Sequence, residues 1–329
     1  MLPPRRLEDP MLTTRRAVLA ATLATPAIAQ SWAPSRTVTI LIPFAAGGAT
    51  DVMGRLIAQP MSQKLGQSVV VENMAGASGG VAAARVARSP ADGHLLFLGH
   101  IGVFAFNQHL FNRLAYDPAD FVPAGLVATN PMVLIVSRQS GITNMEELKA
   151  RGRAGRLSIG SSGLGTTLHM GGVMVNKALG GGNTLVPYRG GGPAINDLHA
   201  GVLDVVVDQA LTALPAVEAG ARAIAVTGPT RLPQIPGTPT TREAGLGELD
   251  LEVWNILTAV RGTPPPIMAA VTAALAHALD DAHVRARFEA ASARAPGPTE
   301  RGPEVAIRLV REEQARWGQF IREAGIERE

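Results

Sequence analysis

One pattern constrains the fold of this chain more than any other: a short β-branched run, a loop of small residues and a helical repeat, occurring twice. Val38-Thr39-Ile40-Leu41-Ile42 ends at Pro43 and passes into Ala45-Ala46-Gly47-Gly48-Ala49-Thr50-Asp51. Apolar residues at helical spacing then run from Val52 to Leu65, interrupted at Pro60, and stop at Gly66. The second copy is Leu157-Ser158-Ile159, the loop Gly160 to Thr167, and a helix to about Leu179. Val69 to Val71 and Leu95 to Leu98 read as further strands, with a Gly76 to Gly80 turn before a helix over Val81 to Arg88. Such alternation calls for parallel strands with helices on both faces.

The second half adds strands at Met132 to Val136, Val205 to Val207 and Ala223 to Val226, and a helix over Ile142 to Ala150 capped by Thr143 or Asn144. Val253 to Val260 reads as a strand crossing back, and the tail from Ile267 as surface helices broken around Ala295-Pro296-Gly297-Pro298. The predicted class is α/β in two lobes, each with a mostly parallel sheet and with a ligand cleft between them. The boundaries fall at residues 30–128 for the first part of lobe one, 129–252 for lobe two, and 253–329 for the return to lobe one.

At 329 residues, 46% hydrophobic and 17% charged, the chain has ample material for two cores and is too apolar for intrinsic disorder. The sequence pI near 9.8 invites a nucleic-acid reading, so the position of the charge matters. Of the formal +3, a net +2 lies within residues 1–29, on Arg5, Arg6, Arg15 and Arg16 against Glu8 and Asp9. The remainder is scattered arginine, with lysine only at Lys64, Lys149 and Lys177, and no basic block interleaved with aromatics. A nucleic-acid partner is therefore not expected. Arg15-Arg16, the apolar run to Ile28 and Ala27-Ile28-Ala29 read as a secretory signal peptide of possible twin-arginine type, cleaved near Ala29. Met11 stands where such a signal begins. A periplasmic location follows, and zero cysteine excludes disulfides, a cysteine nucleophile and a lipid-bearing N-terminal cysteine.

Familiar chemical motifs fail at identifiable residues. Gly160 and Gly165 have P-loop spacing, but Thr166 stands where the lysine must be. Gly163-Leu164-Gly165 is followed by Leu168 where a dinucleotide fingerprint needs its third glycine. Ser162 has Gly160 before it but Leu164 after it, so the hydrolase elbow is incomplete. The seven histidines show no metal spacing. No cofactor or metal is expected, and the chain reads as a binder rather than an enzyme. The rival from another class is a secreted hydrolase using Ser162, His169 and Asp208.

What the failed motifs share is physical. A small-residue loop opening a helix presents unpaired N–H groups and the positive end of the helix dipole, which suits a carboxylate. Ser161, Ser162, Thr166 and Thr167 add hydroxyls. Asp51 closes the first loop, where it either caps the helix or faces ligand. Asp208 follows Val205 to Val207, at the strand end where α/β folds place ligand groups. His169, one turn into the second helix, faces the cleft or packs. Trp254 and Tyr188 read as core residues.

Six ordered stretches resemble the Bug-type extracytoplasmic solute receptors associated with tripartite tricarboxylate transporters. They are Ile42 to Asp51, Val71-Glu72-Asn73 with Gly76-Ala77, Ala91-Asp92-Gly93, Gly160 to Gly163, Val186 to Gly191, and Pro239-Thr240 with Glu243-Ala244-Gly245. Together they spread over residues 35–329. The resemblance implies a periplasmic-binding-protein (Venus-flytrap) fold whose lobes close on a small carboxylate, held by backbone groups of two loops, partly through water. Carried over, the contacts fall on Ala46, Gly48, Thr50 and Asp51, then Ser161, Gly163 and Thr166. Tyr188, Gly190 and Asp208 complete the pocket, with His169 added from its position. The implied partners are the ligand and the membrane components of a transporter, the protein acting as a monomer; a ligand-sensing role in signalling is the alternative. Met74-Ala75 replaces the family's frequent Arg-Pro, and Gln209 stands where Asn is common.

Overall fold

The structure, a computed structural model, describes residues 32–328 apart from Glu248; the signal-peptide reading and its cleavage site lie outside the described residues. Among the described residues, nine strands and ten α-helices follow in chain order. The first half comprises β1 (Val38–Ile42), α1 (Ala49–Leu65), β2 (Val69–Asn73), α2 (Gly80–Ala87), β3 (Leu95–His100), a π-helical turn Gly102–Phe106 and α3 (Asn107–Leu110). The long β4 (Phe121–Val136) leads to α4 (Met145–Arg153), β5 (Ser158–Ser162), α5 (Thr167–Ala178), β6 (Thr184–Tyr188), α6 (Gly191–His199), β7 (Val205–Gln209), α7 (Ala210–Glu218) and β8 (Arg222–Val226). Then β9 (Glu252–Val260) precedes α8 (Pro265–Asp280), α9 (Ala282–Ala290) and α10 (Pro303–Glu323).

The sheet order is β2-β1-β3-β9-β4-β7-β5-β6, with β8 also paired to β4. The parallel strands form β2-β1-β3 and β6-β5-β7, of which all but β6 are read from the sequence. The sheet as a whole is mixed, because β9 and β4 run antiparallel to their neighbours. Along β4, pairing changes hands: Phe121 to Pro131 pair with β9, whereas Met132 to Val136 pair with β7 and β8. Only the second stretch of β4 is evident in the sequence. Pro123, Gly125 and Pro131 obscure the first, and the fold accommodates Pro123 and Gly125 at a register shift against Thr258 and Leu257.

Local signals account for the element ends. Gly66 adopts φ 69° and its N–H reaches Ser62 O at 3.0 Å, closing α1, while the helix continues through Pro60. Asn144, one of the two predicted caps, accepts the Glu147 N–H at 3.0 Å. Strand β1 is buried on both faces, as parallel strands covered by helices are. Next to it, Phe97, Phe104, Phe121 and Trp254 form an aromatic cluster with ring centroids 5.3–6.3 Å apart. Each such ring contributes about 2–3 kcal/mol by burial. The Glu313 carboxylate accepts from Trp254 Nε1 at 3.1 Å and from Trp317 Nε1 at 2.9 Å, so both indoles pack into the core with their polar atoms satisfied.

Thr227 links the two crossing connections. Its hydroxyl accepts the Met132 N–H at 2.8 Å, where β4 changes partners, and donates to Leu251 O at 2.7 Å just before β9. At 1% exposure no water replaces these bonds. Thr227→Val keeps the shape and strands one buried donor and one buried acceptor. The expected cost is about 2 kcal/mol in urea unfolding, and an unchanged midpoint would refute this accounting.

Candidate functional site

Four strand-to-helix junctions point their helix N-termini at one cavity. Gly48, Ala49 and Thr50 open α1, Thr166, Thr167 and Leu168 open α5, Gly190 to Gly192 open α6, and Gln209 precedes α7. The cavity holds about 40 Å³, room for a few non-hydrogen atoms, and its lining contains no lysine or arginine. The first turn of each helix has N–H groups without an intrahelical acceptor, and each N-terminus favours an anion by about 0.3–1 kcal/mol, more when buried. Positive potential here is backbone potential.

An adjoining cavity of about 350 Å³ shares Phe44, Ser162, Thr166 and Gly190 with the first and extends between Gly76 to Gly79 and Tyr188-Arg189. A separate surface hollow of about 290 Å³ near Phe104, Phe121 and Gln314 contains none of the residues predicted for the site.

The structure brings together only part of the predicted set. Gly48, Thr50, Thr166, Gly190 and Asp208 line the small cavity; Gly163 and Tyr188, with Thr166 and Gly190, line its extension. Ala46, Asp51, Ser161 and His169 line neither. Asp51 is engaged within its own half, accepting from Gly47 N at 2.9 Å, Arg55 Nε at 3.1 Å and Asn73 Nδ2 at 3.0 Å. Burial opposes its charge, but the bonds from Arg55, Gly47 and Asn73 outweigh burial and hold its pKa below the ordinary carboxylate value. Asp51 therefore braces the first loop. Ser161 Oγ donates to Ser162 O at 3.1 Å. Ala46 sits at the rim, its carbonyl oxygen 3.9 Å from where a Cβ on Gly192 would be.

His169 packs behind the second loop, its Nδ1 accepting from Gly165 N at 3.4 Å, and burial lowers its pKa to about 4. Ser162 Oγ is paired with Thr166 Oγ1, and Asp208 accepts from Gln209 N at 2.9 Å and Thr212 Oγ1 at 2.8 Å. Ser162, His169 and Asp208 thus make no hydrogen bond with one another, and the relay a hydrolase needs is not assembled.

Asp208 is the one acid in the small cavity's lining. Burial raises its pKa to about 6, against the lowering effects of Thr212 and Gln209 N–H. Phe44, stacked on His100 at 4.4 Å, was not among the predicted site residues; Gln209, noted only as a departure from the family pattern, has its Oε1 buried without a partner. His100 stands at the C-terminal end of β3, so the positional rule used for Asp208 also finds it. Burial pushes its pKa down to about 3, and its Nδ1 accepts from Gly102 N at 2.9 Å. On the floor, Thr50 Oγ1 donates to Asn255 Oδ1 at 3.1 Å.

The loops of the two halves touch across the seam. A Cβ on Gly163 would stand 2.9 Å from Ser78 Oγ, and one on Gly165 would stand 2.1 Å from Asn107 Oδ1. Among the described residues there is no group of three metal-ligating side chains, and no helix is long and apolar enough to cross a membrane.

Comparison with known proteins places this geometry. BugT of Bordetella pertussis is 30% identical over 94% of this chain and 95% of its own length. MatC of Rhodopseudomonas palustris, solved with bound malate, is 39% identical and superposes with TM-score 0.83 over 87% of this chain and 99% of that one. A second Rhodopseudomonas palustris protein, solved with adipate, gives 34% identity and TM-score 0.85 over 90% and 99%. These neighbours share the α/β periplasmic-binding-protein fold. The profile of the family described as "Tripartite tricarboxylate transporter family receptor" matches residues 53–326, and the chain belongs to that family of Bug-type receptors.

Proposed function

We propose that this protein is an exported receptor that captures a small carboxylate by closure of two lobes and delivers it to the membrane components of a tripartite tricarboxylate-type transporter. The carrying observation is the convergence of four helix N-termini from both halves of the sheet on one cavity without a lysine or arginine in its lining. Such a site recognises carboxylate oxygens through backbone N–H groups and needs no cofactor. The malate and adipate in the two neighbours support the same ligand class here.

Residues 30–128 and 253–329 form one lobe and 129–252 the other, hinged where β4 exchanges β9 for β7 and β8. Gly48, Thr50, Gly163, Thr166, Tyr188, Gly190 and Asp208 contact the ligand in the closed form. The protein works as a monomer in the periplasm after removal of its leader near Ala29.

The test is a thermal-shift and calorimetry screen of the exported protein against mono-, di- and tricarboxylates, with mass spectrometry of any copurified acid. A ligand at a hundred times its Kd stabilises by about 2.7 kcal/mol. Failure of every acid to shift the melt would overturn the reading. Turnover of a simple ester, lost in Ser162→Ala, would favour the hydrolase instead.

A further inference from the structure

A site made only to hold a carboxylate would present donors throughout, and this one does not. The N–H groups opening α1, α5, α6 and α7 supply its donors. To these the end of β7 adds two acceptors, Asp208 and Gln209, both in the cavity's lining. Asp208, 5% exposed, has both oxygens occupied once, by Gln209 N and Thr212 Oγ1, and each retains a lone pair. Gln209, 4% exposed, has its amide oxygen buried with no partner. Thr50 Oγ1 gives its proton to Asn255, so it too offers the cavity a lone pair.

A ligand carboxylate laid against this corner would meet the Asp208 acid and the orphaned Gln209 carbonyl. A ligand with an O–H or N–H beside its carboxylate resolves both. We infer that Asp208 and Gln209 determine specificity, making this receptor selective for carboxylates that bear a hydroxyl or ammonium group on the neighbouring carbon. The inference rests on the carboxylate-receptor reading and narrows its substrate class. Gly191 enforces the arrangement: a Cβ there would lie 2.4 Å from Asp208 Oδ2, so only glycine lets α6 approach the acid this closely.

The experiment compares matched acids differing at that one carbon: propionate, lactate and alanine; succinate, malate and aspartate; adipate, 2-hydroxyadipate and 2-aminoadipate. Calorimetry is run on the wild-type protein and on Asp208→Asn. In the series of the right length, the hydroxy or amino acid should bind the wild type about tenfold or more tighter than the unsubstituted acid. Which of the two leads identifies the donor, and either supports the inference. Asp208→Asn should bring the pair to within about threefold, chiefly by improving the unsubstituted acid once the buried charge is gone. Equal binding within every series by the wild type, or a ratio unchanged in Asp208→Asn, overturns the inference while leaving the receptor reading standing. Binding of no acid in any series overturns the inference, and failure of the wider carboxylate screen overturns the receptor reading with it.

Discussion

Gly163→Leu should leave the fold intact and reduce affinity for the bound carboxylate about a hundredfold, or ~2.7 kcal/mol. Gly163 lies outside the left-handed region, so a side chain costs no backbone strain there. Within 4 Å, an added Cβ meets only Ser78, at Oγ 2.9 Å and N 4.0 Å, which belongs to the opposite side of the seam. A branched side chain at this point props the second loop away from the turn before α2. The donors opening α5 and α6 then cannot reach a ligand resting on the start of α1. Melting temperature should stay within a few degrees, while small-angle scattering with saturating ligand should report the open form. Wild-type affinity in this variant would show that the seam does not close on the ligand. Neighbouring Gly165 is a poorer probe because its φ of +80° makes any side chain strained by itself.

Asp208→Asn should stabilise the ligand-free protein by up to about 3 kcal/mol at pH 8, with the gain vanishing near pH 4. Burial raises the Asp208 pKa from 3.8 to about 6. Between these values the native state holds a proton that the unfolded chain has released, so stability falls as pH rises through the window. Above about 6 the ionised carboxylate carries its full desolvation cost, and below 3.8 both states are protonated and the residue contributes nothing. The amide keeps both contacts: its oxygen accepts from Gln209 N–H and its NH₂ donates to Thr212. Denaturant melts of both proteins from pH 4 to 8 check this. A difference that is flat with pH, or that favours Asp208 at high pH, would show that the helix N-termini stabilise the charge more than burial opposes it.

Part of the candidate site was legible because its signals are local. Gly48, Thr50, Gly163, Thr166 and Gly190 lie in small-residue loops that open helices, and Asp208 ends a short apolar strand. The same local signals also pointed to Asp51, Ser161 and His169, which line neither cavity. Whether a loop side chain faces the ligand or braces its own loop depends on how the loop itself folds and what packs against it, which residue types do not show. Asp51 is turned inward by Asn73 from β2, and His169 is tucked behind the Gly165 turn. Gln209 was noted as a departure from the family pattern, but that its amide oxygen is buried without a partner is evident only in the folded chain.

By itself the sequence determined the α/β class, most of the parallel strands, the small-residue loops that open helices, and the family. The first three depend on residue spacing within about twenty positions, where hydrophobic periodicity, glycine and capping chemistry act directly, and the family on six motifs kept in order along the chain. Only the tertiary structure decided that the sheet is mixed, that β4 serves both halves, and that four helix ends share one cavity with an acceptor corner at Asp208 and Gln209. The physical reason is that these features are pairings between distant segments. Thr227 joining Met132 to Leu251, and Ser78 meeting Gly163, are set by how the helices cover the sheet rather than by any local preference.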